Sequence, residues 1–81
     1  MKVDVRLLAS LRNTAGRDTV TLELPPGATL DDALAHLLRE IPALREHVPM
    51  WHLAVNGTHA DSDTVLEAGD RISIFPYIAG G

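Results

Sequence analysis

Thr29-Leu30-Asp31-Asp32-Ala33-Leu34-Ala35-His36-Leu37-Leu38-Arg39-Glu40-Ile41-Pro42 carries the strongest periodic signal in the chain. Leu30, Ala33, Leu34, Leu37, Leu38 and Ile41 recur at helical spacing and share one face, while Asp31, Asp32, His36, Arg39 and Glu40 take the other. Thr29 offers the side-chain oxygen of an N-cap, and the two aspartates stand where the helix dipole is positive. Pro42 stops the element. The pattern predicts a helix over Leu30–Ile41, about 18 Å long. Its apolar face reads as the lid of a core rather than as a partner site.

On either side of this helix the period changes to two. Val3, Val5 and Leu7 alternate with Lys2, Asp4 and Arg6, and Val20, Leu22 and Leu24 alternate with Thr19, Thr21 and Glu23, each the signature of a half-buried strand. Leu8 breaks the first alternation, as the strand's end or as an exposed apolar residue. Ala9 to Gly16 reads as a short helical turn or loop closed by glycine, and Pro25-Pro26-Gly27 ends the second strand. After the helix, Ala43–Val48 suggests a short extra turn. Trp51, Leu53 and Val55 then alternate up to the tight-turn pair Asn56-Gly57. Thr58–Ala60 is a candidate edge strand, Asp61 to Leu66 is irregular, and Glu67-Ala68-Gly69-Asp70 is a turn. The last strand, Arg71–Phe75, points Ile72 and Ile74 inward. Two strands, one long helix and further strands predict an α+β domain, a mixed sheet of four to five strands packed on one main helix. The β-grasp arrangement meets that description, and it pairs the first and last strands in parallel.

Composition sets the limits. Eighty-one residues with 46% hydrophobic content support one domain with one core. We expect that domain over residues 1–76, with 77–81 as a flexible tail. A formal charge of -4 argues against nucleic acid or an anionic membrane as partner. The absence of cysteine removes disulfides and any thiol or persulfide carried by the chain itself. No apolar run is long enough for a signal peptide or a membrane span, so a cytoplasmic location is the default expectation.

The residues Phe75-Pro76-Tyr77-Ile78-Ala79-Gly80-Gly81 follow the last strand signal. A carboxylate on Gly81 is a poor electrophile, so chemistry there needs prior activation, for which acyl-adenylate formation from ATP is one route. Two glycines without Cβ atoms let the backbone approach another protein closely. Extended, Tyr77 to Gly81 reaches roughly 17 Å, enough to thread a channel. The plain alternative is a frayed end without a role. Parity places Leu8 and Phe75 on the outward sheet face near the tail's departure, with Arg6, Arg12 and Arg71 as charged neighbours. Clustered in that way, apolar residues mark a partner surface.

Arg6-Leu7-Leu8-Ala9-Ser10-Leu11-Arg12, Ala15-Gly16, Pro25 with Thr29-Leu30, Leu53-Ala54-Val55-Asn56-Gly57, Leu66 with Gly69-Asp70, and the Phe75–Gly81 ending together resemble the MoaD family. These are the ubiquitin-like small sulfur-carrier subunits of molybdopterin synthase. The likeness spans essentially the whole chain. The ThiS carriers of thiamine synthesis share the Gly-Gly end but are usually shorter and lack this opening. The resemblance implies a protein that is not an enzyme alone and binds no cofactor itself. An E1-like, MoeB-like partner would adenylate Gly81 with ATP and magnesium. A sulfur-delivery protein would supply the sulfur for a thiocarboxylate, and a large, MoaE-like synthase subunit would receive the tail and pass the sulfur to a pterin precursor. Gly80 would permit passage through the tunnel. Leu8, Arg12 and Phe75 match partner-contacting positions of the family, and the run Pro76, Tyr77, Ile78 and Ala79 would be gripped along the way.

Two departures stand out. Tyr77 replaces the second of two prolines usual in the family ending, so the tail is less restricted in φ and loses more entropy when threaded. His59 stands where many members have an apolar contact residue. A partly buried imidazole there would make docking pH-dependent, whereas a solvated one would be ordinary. Other chemistries find little support. His36, His47, His52 and His59 lack a metal-ligand spacing, Asp61 and Asp63 lack the glycine and glutamate of a calcium loop, and Ser10 and Ser62 have no evident base. A modifier joined through Gly81 to target lysines, or a thiocarboxylate donor for cysteine or thiamine, are the alternative readings.

Overall fold

The computed structural model describes residues 1–76. β1 (Lys2–Leu7) and β2 (Thr19–Glu23) form an antiparallel pair with Val3 opposite Leu22 and Val5 opposite Val20. Between them lies a six-residue helix, α1 (Ser10–Ala15), closed by Gly16 at φ 75, a left-handed position that glycine takes without a Cβ penalty. After α2 (Leu30–Glu40) and a 3₁₀ segment (Pro42–Met50) come β3 (Trp51–Val55), β4 (Thr58–His59) and β5 (Arg71–Pro76). The strands make one five-stranded mixed sheet in the order β2-β1-β5-β3-β4. β1 and β5 are parallel neighbours at its centre, with Val5 beside Ile72 and Leu7 beside Ile74. This is the expected β-grasp arrangement.

α2 is fixed by local chemistry at both ends. Thr29 and Asp32 form a reciprocal capping box, the Asp32 N–H donating to Thr29 Oγ1 at 3.2 Å and the Thr29 N–H donating to Asp32 Oδ2 at 2.9 Å. The irregular segment after β4 completes the cap. Carbonyls of Thr64 and Ser62 accept from the N–H groups of Leu30 and Asp31 at 2.8 and 2.9 Å, donors that have no partner within the helix. The helix ends at Glu40, one residue short of the expected Ile41. A residue that precedes proline is pushed out of the helical region, and Ile41 sits at φ -130, ψ 78. The Ile41 side chain is nonetheless buried, so the apolar face runs the expected length. Leu38 is half-buried at its flank.

The core lies between α2 and one face of the sheet. Leu7, Leu22, Leu30, Leu37, Ile72 and Ile74 are fully enclosed there, joined by Leu11 of α1 and Leu44 of the 3₁₀ segment. The turn expected over Ala43–Val48 is longer, from Pro42 to Met50, because Leu44 anchors it in the core and a hydrogen bond of 2.9 Å joins His47 Nε2 to Thr14 Oγ1 of α1. Asn56 and Gly57 take φ of 52 and 83, the two positive angles of a type I′ hairpin turn. Asn56 also ties that hairpin to the start of β5. Its Oδ1 accepts from the Arg71 N–H and its Nδ2 donates to Asp70 Oδ1, both at 3.0 Å.

Candidate functional site

The outward face of the sheet is built by the same alternation that fills the core. With Val5, Leu7, Ile72 and Ile74 pointing in, Arg6, Arg71, Ser73 and Phe75 point out. Leu8 follows the last residue of β1, and its N–H donates to Ile74 O at 3.1 Å, which continues the parallel ladder and sets Leu8 beside Phe75. Across the other ladder, His52 of β3 is opposite Phe75, and the two rings stack with centroids 6.0 Å apart and planes 24° from parallel. Leu8, Phe75 and His52 thus form a row over three strands. Leu8 at 36% and Phe75 at 37% exposure are among the few large apolar side chains left open to solvent, while the inward neighbours Leu7 and Ile74 are at 0%.

The next row runs Arg6, Ser73, Ala54, His59, each opposite the next in register. His59 is exposed at the sheet's edge on the two-residue β4, so among the described residues its imidazole is the solvated alternative. Arg12 is exposed on α1, and its N–H donates to Ala9 O at 3.1 Å, so it stands one turn beyond Leu8. Among the described residues no hydrogen bond or ion pair links Arg12 to the row. Pro76 ends β5 and is half-buried, opposite Trp51. Tyr77, Ile78, Ala79, Gly80 and Gly81 lie outside the described residues. The structure therefore brings Leu8, Phe75 and Pro76 to one end of the sheet, with Arg12 close in sequence and His59 two strands away.

Ala9 makes this end possible. It has φ 53 and ψ -127, a region costly for a side-chain-bearing residue, and it precedes α1 without a side-chain cap. The sharp change of direction there leaves Leu8 on the outward face while Leu11, three residues on, enters the core. His52 is the site residue that sequence reading passed over as an ordinary histidine. The signal was present, since it lies out of phase with Trp51, Leu53 and Val55. Ala54 also departs from the alternation: it is buried on the outward side, a small residue flanked by Ser73 and His59 on neighbouring strands.

His36 Nε2 is 3.5 Å from Glu40 one turn on, and Asp61 O accepts from Thr64 N in a turn. Among the described residues no group of three or more histidine or acidic side chains is arranged to hold a metal ion, and no helix is long and apolar enough to cross a membrane. What this face offers chemically is an apolar contact bordered by cations.

The sequence matches the ThiS family over residues 5–81. The chain belongs to the ThiS family. Within that family, its resemblance to MoaD proteins is carried by relatives such as the molybdopterin synthase sulfur carrier subunit of Arabidopsis thaliana, 30% identical over all of this chain and 84% of that one. Among solved structures, small archaeal modifier protein 1 of Haloferax volcanii superposes with a TM-score of 0.93 at 30% identity, covering all of both chains. A protein–protein complex of subunits 1 and 2 of the molybdopterin-converting factor from Helicobacter pylori contains a chain that matches with a TM-score of 0.74 at 27% identity, again over the full length of both. The ThiS-family chain therefore shares its ubiquitin-like β-grasp fold with relatives named as carriers and as modifiers.

Proposed function

We propose that this protein is a sulfur carrier that acts as the small subunit of a molybdopterin synthase. The observation that carries the proposal is the row of Leu8, Phe75 and His52, with Leu8 and Phe75 exposed and His52 half-buried, at the end of the sheet where β5 closes at Pro76. A carrier must dock on a partner and present its tail from the docked face, and this row is positioned for that. The full-length likeness to a named sulfur carrier subunit supports the same reading.

The chemistry proceeds at the carboxylate of Gly81. Its oxygen attacks the α-phosphate of ATP, with magnesium held by an E1-like partner, and pyrophosphate leaves. Sulfur at the sulfide level, supplied by a delivery protein, attacks the acyl carbon and AMP leaves, so one oxygen is replaced by sulfur. The large synthase subunit then takes the tail and transfers the sulfur to a pterin precursor. This chain contributes the docking face, the reach of residues 77–81 and two glycines narrow enough to pass. It is a substrate and a subunit, not a catalyst by itself.

Intact mass after incubation with the E1-like enzyme of the same organism, ATP, magnesium and sulfide tests the proposal. A gain of about 16 Da mapped to Gly81, as oxygen-for-sulfur exchange at an activated acyl group requires, is the expected result. A chain left unmodified would overturn it, as would sulfur transfer retained after deletion of Gly81. A second reading is favoured by the match to a small archaeal modifier protein: conjugation through Gly81 to lysines of other proteins. Lysine-linked adducts without thiocarboxylate would select it. Chains built from this protein alone would be restricted, because Lys2 is its single lysine.

A further inference from the structure

β2 is the outermost strand, paired only with β1. The Leu24 N–H donates to Met1 O and the Leu7 N–H donates to Asp18 O, both at 2.8 Å. Bonded and unbonded pairs alternate in an antiparallel ladder, so Val20 and Leu22 turn their backbone groups toward β1. Those of Thr19, Thr21 and Glu23 therefore point out of the sheet, and among the described residues no other segment bonds to them. Sheet edges are commonly blunted by lysine, proline or a bulge. The run Thr19-Val20-Thr21-Leu22-Glu23 has none of these and pairs with β1 residue for residue. Its ends are nevertheless defined, by a bend at Asp18 and by Pro25, which has no N–H to donate.

These residues are complementary to themselves. When two copies of β2 run antiparallel about a two-fold axis through Thr21, Thr21 meets Thr21, and Thr19 meets Glu23 of the second copy. Each of these facing pairs exchanges two main-chain hydrogen bonds, and every outward-pointing residue of the strand is used. Sliding by two residues sets Arg17 or Pro25, both outside the strand, against Glu23 or Thr19, and a facing pair is lost. Sliding by one opposes backbone groups that point in different directions and puts apolar side chains against the wrong face. The side chains select the same register. Val20 and Leu22 of the two copies meet on the covered side. On the outward side Glu23, with Lys2 opposite it in its own sheet, comes beside Thr19 and Arg6 of the second copy, because Arg6 is the register partner of Thr19. Among the described residues Arg6 has no ion pair of its own. The two Asp4 carboxylates stay apart, with both Thr21 side chains between them and each Thr21 Oγ1 donating to its own Asp4 Oδ1 at 3.0 Å.

We propose that this protein pairs with a second copy of itself through β2, so that two five-stranded sheets become one continuous sheet. The contact is isologous, with Glu23 of each copy held between cations from both. It is also small, and the association is accordingly weak and reversible. The axis is perpendicular to the sheet, so both faces that bear Leu8 and Phe75 lie on the same side of the pair and both stay open. The two β5 strands run in opposite directions, and a pair presents two docking faces at once.

Sedimentation equilibrium and amide chemical shifts of the full ¹⁵N-labelled chain, followed from micromolar to millimolar concentration, test this. The average mass should rise toward that of a dimer, and the amides of Thr19, Thr21 and Glu23 should shift with it. Glu23→Lys sets like charges in one row across the axis and should weaken association about tenfold. Adding Thr19→Glu to that variant restores the order of charges only in this register, and should return the dissociation constant to within about threefold of its starting value. Thr21→Pro removes the donor at the axis without touching the bonds to β1, and should abolish pairing. Unperturbed shifts elsewhere in each variant would report that the fold is intact. A monomer throughout, concentration-dependent shifts confined to the Leu8 and Phe75 face, or no recovery in the double variant would each overturn the proposal.

Discussion

The two faces of the sheet are made by the same strands and differ in what they leave open. Along β1 and β5 the inward residues Val5, Leu7, Ile72 and Ile74 are at most 1% exposed, whereas Leu8 and Phe75, one residue out of phase, are above a third exposed. Alternation fixes which side each residue occupies, and the helix covers only one side. An apolar residue on the covered side stabilises the domain. On the uncovered side it leaves stability almost unchanged and remains available for a partner. The contrast separates residues that hold the fold from those that use it.

Substitutions on the two sides should fall apart in the same way. Ile74→Ala removes a fully enclosed side chain beside Leu7 and Leu53, and should destabilise the domain by about 2–5 kcal/mol, with thermal unfolding lowered by roughly 10 °C or more. Phe75→Asp, the adjacent residue, should weaken binding to the large synthase subunit about thirtyfold or more in a calorimetric titration, with little change in melting temperature. Unchanged affinity would remove Phe75 from the interface, and a large drop in melting temperature would dissolve the contrast. Ala9→Gly relieves a backbone conformation that glycine tolerates and should stabilise the fold by about 1 kcal/mol in denaturant unfolding. A loss of stability would show that the turn after β1 is unstrained. His59→Ala, at the exposed edge, should cost about threefold or less in partner affinity, the effect of a rim contact. A loss matching that of Phe75 would move the centre of the interface onto β4.

The elements that the sequence made legible are those whose partners are dictated by their own periodicity. The alternations of β1 and β5 and the face of α2 each state which residues are inside, and parity alone placed Leu8 and Phe75 outside. Local chemistry was equally plain at Thr29 with Asp32 and at Asn56-Gly57. What escaped depends on neighbours distant in the chain. Ala54 is buried between register partners on two other strands, His52 gains meaning only opposite Phe75, and the Thr14–His47 bond joins segments 33 residues apart. Expectations resting on Tyr77 to Gly81 came from residue chemistry and resemblance, and they await the mass measurement.

The placement of β5 has a mechanical consequence. It is flanked by β1 in parallel and by β3 in antiparallel register, so it has no free edge. A pull on residues beyond Pro76, directed along the strand, loads both ladders in shear, and many hydrogen bonds must yield together rather than one after another. An enzyme that gripped these residues and drew them along the strand would therefore load a strand paired on both sides, and the load would reach the core without peeling an edge.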